Sequence, residues 1–395
     1  MEAPAGVDPL EYVYIGEIRS DSVLIGWGST KGANTIGRTS PSMGAAEVVI
    51  DSRTISETGA NHAWVTGLQA DQSYPYTVRV GGREIGKGEV RTWPSASDTL
   101  TFFVIGDYGN AGNEQYRVAQ AMRMEAERAG PVRFILTVGD NIYGNVSSDQ
   151  QWDRKFFQPY RALLRGIPFY ATPGNHDGDE NQQASNLDFY RDNFLMPPKV
   201  VEGTHTVYSF RFGNLAEFFA LDSTKNIPNG LAPKGKENYD KDQPQSKWLR
   251  TALAGSSARW KIPYFHHPIY SAGPEHFLNR GVGDGRGLAH WADMFRDNKV
   301  AVVFNGHEHN LQYTNPNETD GVRYVVSGAG GKLRRGIDPA MRSKYKIEGW
   351  ADSVHFLRVS INGGKMEIHP LTYKLEGDNV ASVQPVGKPI EVDAR

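Results

Sequence analysis

Two histidines stand one residue apart in the segment VFNGHEHNLQY, directly after an apolar run and a glycine. They are His307 and His309, two of only eleven histidines in the chain. Imidazole is a good ligand for first-row metal ions, and two imidazoles on one turn can bind two neighbouring ions, one each. The segment therefore predicts part of a metal site that other residues must complete.

Four earlier apolar runs also end in polar residues, in the segments GDYG, GDNIY, GNHD and FHHPIY. Sites in open α/β sheets form beyond the carboxyl ends of strands, because the loops converge there. Taken singly, each residue has an ordinary explanation as a helix cap, a turn former or a packed ring. Their joint occurrence favours a common site, whose candidates here are Asp107, Asp140, Tyr143, Asn175, His176 and His266.

These residue types indicate a pair of metal ions. Carboxylate, imidazole, amide and phenolate groups are ligands for iron, manganese or zinc, and the chain has no cysteine that could supply a thiolate. Two ions about 3.5–4 Å apart need a shared ligand, and an aspartate can bridge them while reducing their mutual repulsion. We therefore expect a binuclear centre bound entirely through nitrogen and oxygen.

Residues 12–93 read as short strands separated by turns. In SVLIGW, the side chains of Val23, Ile25 and Trp27 alternate onto one face, which is typical of a half-buried strand. This pattern predicts a small all-β sandwich. The segment TWPSASDT then interrupts it as a linker, so we expect one domain over residues 1–96 and a second over 97–395.

From residue 100 onward, apolar runs alternate with amphipathic helical segments such as NEQYRVAQAMRMEAERAG. That rhythm predicts α/β layers with a largely parallel sheet, and the later runs are numerous enough for a second sheet. The polar residues described above follow runs of this second part, which is therefore expected to carry the site.

Composition excludes several kinds of partner. A formal net charge of -2 and a pI near 6.6 give no basic surface of the kind that nucleic-acid binders carry. No run approaches the roughly 18 apolar residues of a membrane span. The first residues, MEAPAGVDPL, do not read as a signal peptide. We expect a secreted or periplasmic protein whose signal peptide is absent from this chain, and the oligomeric state stays open.

The ordered blocks GDYG, GDNIY, GNHD, HHPIY and GHEH resemble the metallophosphoesterase superfamily and, within it, the purple acid phosphatases, over about residues 98–395. The tyrosine of GDNIY is typical of this branch, whereas its relatives carry a histidine at the position of Gly109. The resemblance implies an α/β fold, a four-layer α/β/β/α sandwich. The preceding strands resemble a fibronectin type III domain, with Trp27 as its core tryptophan and Tyr74 as its corner tyrosine.

The resemblance also assigns the metal ligands. It implies iron(III) at one position and a divalent ion, either iron, zinc or manganese, at the other. The iron(III) ligands would be Asp107, Tyr143 and His309, the bridge would be Asp140, and the divalent ion would take Asn175, His266 and His307.

Other polar residues near these blocks have supporting roles by the same resemblance. His176 and His276 match histidines that contact phosphate, and either could be the general acid for the leaving group. His267 is interpreted as a supporting or packing residue. The cations Lys332, Arg334 and Arg335 could line the rim for anionic substrates or could simply be solvated.

The resemblance implies an acid phosphatase that hydrolyses phosphate monoesters by attack of a metal-bound hydroxide, with small phosphorylated molecules as substrates. An alternative is a phosphodiesterase or nucleotide-cleaving enzyme that uses the same metals. A third reading is a cell-surface binding protein in which the β-sandwich is the working part and the metal site is vestigial.

Overall fold

The computed structural model describes residues 11–29, 42–144, 149–178, 187–201, 204, 206–225, 237–273 and 287–395. The candidate His276 lies outside these residues. No helix within them is both long and apolar enough to cross a membrane.

The first seven strands form two antiparallel sheets, one with the order β1-β2-β5 and one with the order β4-β3-β6-β7. An all-β N-terminal part was predicted and is confirmed. The strands are β1 Glu11–Ile18, β2 Ser22–Ser29, β3 Ala46–Ile50, β4 Arg53–Glu57, β5 His62–Thr66, β6 Ser73–Val80 and β7 Arg83–Arg91.

Two aromatic residues take the positions that the sequence predicted for them. Trp27 is fully buried in the core. The hydroxyl of Tyr74 accepts a hydrogen bond from the backbone N–H of Gln69 at 2.8 Å, as a corner tyrosine does in such sandwiches.

Strand β2 differs from its predicted pattern, because all eight of its residues are buried. Alternation accounts for the face of Val23, Ile25 and Trp27, but the other face is covered too. A methyl group added to Gly26 would lie 2.6 Å from Cδ1 of Leu195, which belongs to the second part of the chain. The second face of the strand is therefore buried by contact with that part.

The second part contains two seven-stranded sheets. The first sheet has the order β10-β9-β8-β18-β19-β20, and β21 also pairs with β19. Strands β8, β9 and β10 are parallel, and the remaining pairs are antiparallel. The strands are β8 Thr99–Ile105, β9 Ile135–Val138, β10 Phe169–Thr172, β18 Phe356–Asn362, β19 Lys365–Glu376, β20 Asn379–Pro385 and β21 Ile390–Asp393.

The second sheet has the order β11-β12-β13-β14-β16-β15-β17. Its four central strands, β12, β13, β14 and β16, are parallel, with antiparallel strands at both edges. The prediction of a largely parallel sheet therefore holds only for the strands that carry the site. The strands are β11 Tyr208–Phe212, β12 Ala216–Ala220, β13 Trp260–Tyr264, β14 Val302–Asn305, β15 Leu311–Thr314, β16 Arg323–Ser327 and β17 Ile347–Ala351.

Helices cover the outer faces of both sheets. Helix α1 packs on β19 and β20, and α5 and α6 bury Leu249 and Trp291 against Phe219 and Val303 of the second sheet. The α-helices are α1 Asn113–Arg128, α2 Asp149–Trp152, α3 Gln158–Leu164, α4 Asp188–Asn193, α5 Pro244–Gly255, α6 Ala289–Asp297 and α7 Pro339–Lys344, with a π-helical turn at Asp153–Phe157.

The inner faces of the two sheets pack on each other through aromatic rings. The ring of Phe102 on β8 lies 5.3 Å from that of Phe218 on β12 and 6.2 Å from that of Phe304 on β14. The predicted four-layer α/β/β/α sandwich is thus confirmed. Strand β7 ends at Arg91 and β8 begins at Thr99, and the division of the chain at residues 96 and 97 stays a prediction.

Candidate metal centre

The candidate ligands come from the carboxyl ends of five parallel strands, which lie side by side in the two sheets. Asp107 follows β8, Asp140 follows β9, Asn175 follows β10, His266 follows β13 and His307 follows β14. Their side chains converge because the two sheets face each other and present these ends at one edge.

Three of these residues have unusual backbone conformations. Asp107, Asp140 and His307 have φ angles of 56°, 52° and 73°, in the left-handed region that non-glycine residues seldom adopt. Such conformations cost free energy and occur where the surrounding structure imposes them, often at functional sites. Here all three lie in the loops that follow parallel strands of the two sheets.

One cluster joins Tyr143, Asp107 and His309. The Tyr143 hydroxyl lies 3.1 Å from Asp107 Oδ1 and 3.2 Å from His309 Nε2. His309 Nε2 is in turn 3.3 Å from Asp107 Oδ1. Two oxygens and a nitrogen therefore meet at one point, and all three side chains are buried.

A second cluster joins His266, His307 and Asn175. Asn175 Oδ1 lies 3.0 Å from His266 Nε2 and 3.1 Å from His307 Nδ1. The two ring nitrogens are 3.2 Å apart. The other nitrogen of His266, Nδ1, lies 2.8 Å from the carbonyl oxygen of Val138, a contact that orients the ring with Nε2 toward the cluster.

Asp140 lies between the two clusters. Its Oδ1 is 3.4 Å from His266 Nε2 and accepts a hydrogen bond from the His176 backbone N–H at 2.9 Å. A methyl group at Gly174 would lie 2.1 Å from the same oxygen, so only glycine permits this approach. Asp140 also interacts with Tyr143 in the first cluster.

The donor set fits two metal ions. Ligands bound at about 2.0–2.2 Å to one ion stand roughly 3–3.5 Å from each other, and the spacings within each cluster fall in this range. Potential ligand atoms come together in two groups of three residues. One group is Asp107, Asp140 and His266, and the other is His266, His267 and His307. The seven predicted ligands are thus assembled in one place, and the metals they would bind remain a proposal.

The electrostatics of the site favour cations. Burial raises the pKa of Asp107 well above its ordinary value, and the charge of Asp140 adds to this effect. Burial acts in the same direction on Asp140, but the neighbouring His266 and His176 outweigh it and lower its pKa. Burial and both carboxylates hold the pKa of Tyr143 far above its usual range, so a cation is needed to ionise this phenol near neutral pH.

His176 and Lys332 lie around Tyr143 at the opening of the site. The His176 side chain is 43% exposed, and its Nε2 lies 4.0 Å from Asp140 Oδ2. Its ring centroid is 4.7 Å from that of Tyr143. The Lys332 ammonium lies 3.5 Å from the centroid of the same ring. This lysine therefore contacts a candidate ligand, whereas Arg335 is exposed.

His267 has a packing position beside the second cluster. Its ring centroid lies 4.4 Å from that of His307, and its Nδ1 lies 3.0 Å from Ser223 Oγ. The backbone N–H of His267 donates to the same hydroxyl at 3.0 Å. This environment agrees with a supporting residue for the cluster.

Sequence reasoning missed two buried residues that hold the loops. The Asp177 carboxylate accepts hydrogen bonds from Gly174 N at 2.7 Å and from Ile142 N at 3.0 Å, which ties the GNHD and GDNIY loops together. Lys155 donates to the carbonyl oxygen of Tyr143 at 2.5 Å. Asp177 could have been suspected from its position directly after His176, but nothing near Lys155 in the sequence marks it.

The structure also explains why glycine stands at position 109, where the resemblance implies a histidine in other branches of the superfamily. A methyl group there would lie 1.7 Å from the carbonyl oxygen of Asn141. No side chain fits at this position, and Tyr143 approaches from the neighbouring loop instead.

The chain is similar to known phosphoesterases. The family model described as calcineurin-like phosphoesterase matches residues 100–311. Purple acid phosphatase 17 of Arabidopsis thaliana is 28% identical over 306 residues, covering 72% of this chain and 85% of that protein. Tartrate-resistant acid phosphatase type 5 of Mus musculus is 28% identical over 297 residues, covering 69% and 84%.

Two solved structures share the fold. A purple acid phosphatase from yellow lupin (Lupinus luteus) seeds superposes with a TM-score of 0.70 at 15% identity, over 95% of this chain and 74% of that one. PhoD superposes with a TM-score of 0.67 at 15% identity, over 98% and 94%. The predicted hydrolase family is confirmed: the chain belongs to the calcineurin-like phosphoesterase family.

Proposed function

We propose that the chain is a binuclear metal-dependent acid phosphatase that hydrolyses phosphate monoesters. The observation that carries this proposal is the pair of three-donor clusters on either side of Asp140, with spacings of 3.0–3.4 Å between potential ligand atoms. Its similarity to proteins named purple acid phosphatase and tartrate-resistant acid phosphatase supports the substrate class.

The two clusters differ in chemistry, and this difference supports a mixed pair of ions. Two anionic oxygens besides the bridge favour a trivalent ion beside Tyr143, which we assign as iron(III). Two imidazoles and an amide favour a divalent ion at the other position, either iron, zinc or manganese. The proposed ligands are Asp107, Tyr143 and His309 for the first, Asn175, His266 and His307 for the second, and Asp140 for both.

When bound, such ions supply a water of lowered pKa and positive charge for the phosphoryl oxygens. The chain itself supplies position and protons. Asp140 is fixed by the backbone N–H of His176, and the half-exposed His176 ring can give a proton to the departing alkoxide. His276 stays a predicted second phosphate contact. We extend the proposal to small phosphorylated substrates, without nucleic-acid or membrane partners, and to an exported enzyme.

The experiment is a comparison of aryl phosphate substrates with metal-loaded protein. We expect nitrophenyl phosphate to be hydrolysed with a kcat/KM at least about tenfold above that of bis(nitrophenyl) phosphate. Asp140→Asn should lower turnover by about 100-fold or more, because it weakens both metal positions. Asp98→Asn, a change at an exposed residue of the same part of the chain, should leave it unchanged.

Each other outcome has a definite meaning. Preference for the diester would establish the phosphodiesterase alternative. Failure to hydrolyse either substrate, with both metals bound, would favour a binding protein. Normal turnover in Asp140→Asn would remove the bridging role of this aspartate.

A further inference from the structure

A π-helical turn, Asp153–Phe157, separates the short helix α2 from α3. Such turns are rare and occur frequently at functional sites. Side chains of this turn face in different directions, some toward the N-terminal sandwich and one toward the metal centre. The turn therefore lies between the two parts of the protein.

Asp153 and Phe157 face the sandwich. The Asp153 carboxylate accepts hydrogen bonds from the hydroxyl of Tyr12 on β1 and from Gln158 Nε2. The ring of Phe157 stacks on that of Tyr12, with centroids 4.8 Å apart and planes 29° apart. The guanidinium of Arg161 on α3 lies over the ring of Tyr12, 5.6 Å from its centroid.

Lys155 faces the metal centre. Its ammonium donates to the carbonyl oxygen of Tyr143 at 2.5 Å. Its own backbone carbonyl accepts a hydrogen bond from the Gln115 side chain, and Gln115 Oε1 accepts from Ala111 N at 2.7 Å. The turn thus holds the loop of Tyr143 and the loop that follows Asp107.

A gain in stability does not explain a lysine at position 155. Its side chain is buried. No carboxylate in the described part of the chain forms an ion pair with it. A buried charge held by one carbonyl contributes little to stability. We therefore interpret the role of Lys155 as fixing the position of the Tyr143 loop.

The sandwich is seated firmly enough to support this turn. A methyl group at Gly16 would lie 2.5 Å from Cβ of Leu195, and one at Gly26 would lie 2.6 Å from its Cδ1. The backbones of strands β1 and β2 therefore lie close to the second part of the chain. A separate contact, the hydrogen bond from the Tyr76 hydroxyl to the carbonyl of Arg165 at 2.9 Å, lies away from the π turn.

We propose that the N-terminal sandwich is part of the support of the metal centre: Tyr12 holds the π turn, and Lys155 on that turn is a positioning residue for Tyr143. The inference rests on the proposed function for the role of Tyr143 as a ligand. The positioning of the loop itself is independent of that role and can be tested separately.

The first test measures hydrogen exchange of the full-length protein after metal has been removed with a chelator. The reporter is the Tyr143 amide, which donates to the carbonyl of Gly109 at 2.8 Å. Lys155→Met and Tyr12→Phe should each speed its exchange by about tenfold, as the loss of one supporting hydrogen bond would. Lys155→Arg should restore most of the protection.

Matched controls separate positioning from general weakening. Tyr76→Phe removes a hydrogen bond of the same interface without touching the π turn. Lys261→Met removes another lysine that donates to a backbone carbonyl, that of Asn298 at 3.1 Å. Neither should change exchange at Tyr143, and Lys155→Met should not lower the melting temperature. Equal exchange in all variants, or equal acceleration by the controls, would overturn the inference.

The second test uses iron-loaded protein. Lys155→Met and Tyr12→Phe should weaken iron retention against a chelator by about tenfold, whereas the two controls should not. Accelerated exchange together with wild-type protein that binds no iron would contradict the proposed function and leave the positioning intact. Unchanged exchange in a purple, active enzyme would contradict the positioning alone.

Discussion

The ring of Tyr143 lies against a cation, since the Lys332 ammonium is 3.5 Å from its centroid. A cation on the ring face stabilises the ring electrons by about 0.5–2 kcal/mol. If Tyr143 binds iron(III), removing that cation raises the energy of the donor electrons and lowers the energy of charge transfer to iron. Lys332→Met should therefore move the visible absorption band to longer wavelength, and Lys332→Arg should keep it near its wild-type position.

The control for this prediction is Lys344→Met, which removes a lysine 5.0 Å from the ring of Tyr345. It should leave the visible spectrum unchanged. An unshifted band in Lys332→Met would show that this cation does not act on the phenolate.

Residue type and position after a strand were enough to predict which side chains come together at one edge of the sheets, and their role as ligands stays a prediction. Asp107, Asp140 and His307 all follow parallel strands closely, so the arrangement of these strands brings their side chains together. The place of Lys332 could not be predicted, because it depends on the path of a loop across the site. Lys155 was missed for a similar reason, since its partner Tyr143 is reached only through the packing of the π turn.

His355 links the two large sheets. It precedes β18 of the first sheet, and its Nε2 lies 3.1 Å from Ser327 Oγ at the end of β16 in the second. Burial lowers the pKa of His355 to about 4. The unfolded chain therefore binds a proton below about pH 6.5 that the folded protein binds only near pH 4.

The free energy of unfolding should consequently fall as the pH drops from 6.5 to 4. The contribution of His355 to this fall should be about 2 kcal/mol at pH 5. His355→Gln should abolish that part of the acid sensitivity. The measurement is denaturant unfolding of both proteins at pH 5 and pH 7.5, where the second pH isolates the cost of the substitution itself. An identical pH dependence in the two proteins would show that His355 is not the group responsible.

Strand patterns predicted the layers well, because alternation and apolar runs report local burial. They failed where burial comes from another part of the chain. The sequence of β2 indicates one buried face, yet both are buried because Leu195 covers the second. The segment QQWDRKFFQPYRALLRG reads as one helix, yet it contains a π turn, at which Asp153 contacts Tyr12 and Lys155 contacts the Tyr143 loop.

Trp93 joins the N-terminal sandwich to the second part of the protein. Its backbone N–H donates to the carbonyl of Arg19 at 3.1 Å, while its ring lies 5.3 Å from that of Phe212 and 5.9 Å from that of Phe134. One continuous hydrophobic core includes Trp93 and both sheets of the sandwich. The strand pattern and the linker segment predicted two domains, but such a shared core depends on packing between the two parts that local sequence does not report.

We expect the protein to unfold in a single calorimetric transition. Trp93→Ala should lower the midpoint of that transition, at a cost of about 3–5 kcal/mol, without splitting it. Trp350→Ala, at a residue 37% exposed, should have little effect. Two separated transitions in the wild-type protein would mean that the sandwich folds independently of the rest.

Metal analysis combined with a visible absorption spectrum, on the purified protein and on Tyr143→Phe, tests directly whether Tyr143 binds iron in a binuclear centre. We predict two metal ions per chain, at least one of them iron, and a visible band that Tyr143→Phe abolishes while iron remains bound. The physical reason is that the Tyr143 oxygen lies within 3.1–3.2 Å of Asp107 and His309, where a shared ion would contact all three. A single colourless metal per chain, or a band that survives in Tyr143→Phe, would contradict a binuclear centre with iron bound by Tyr143.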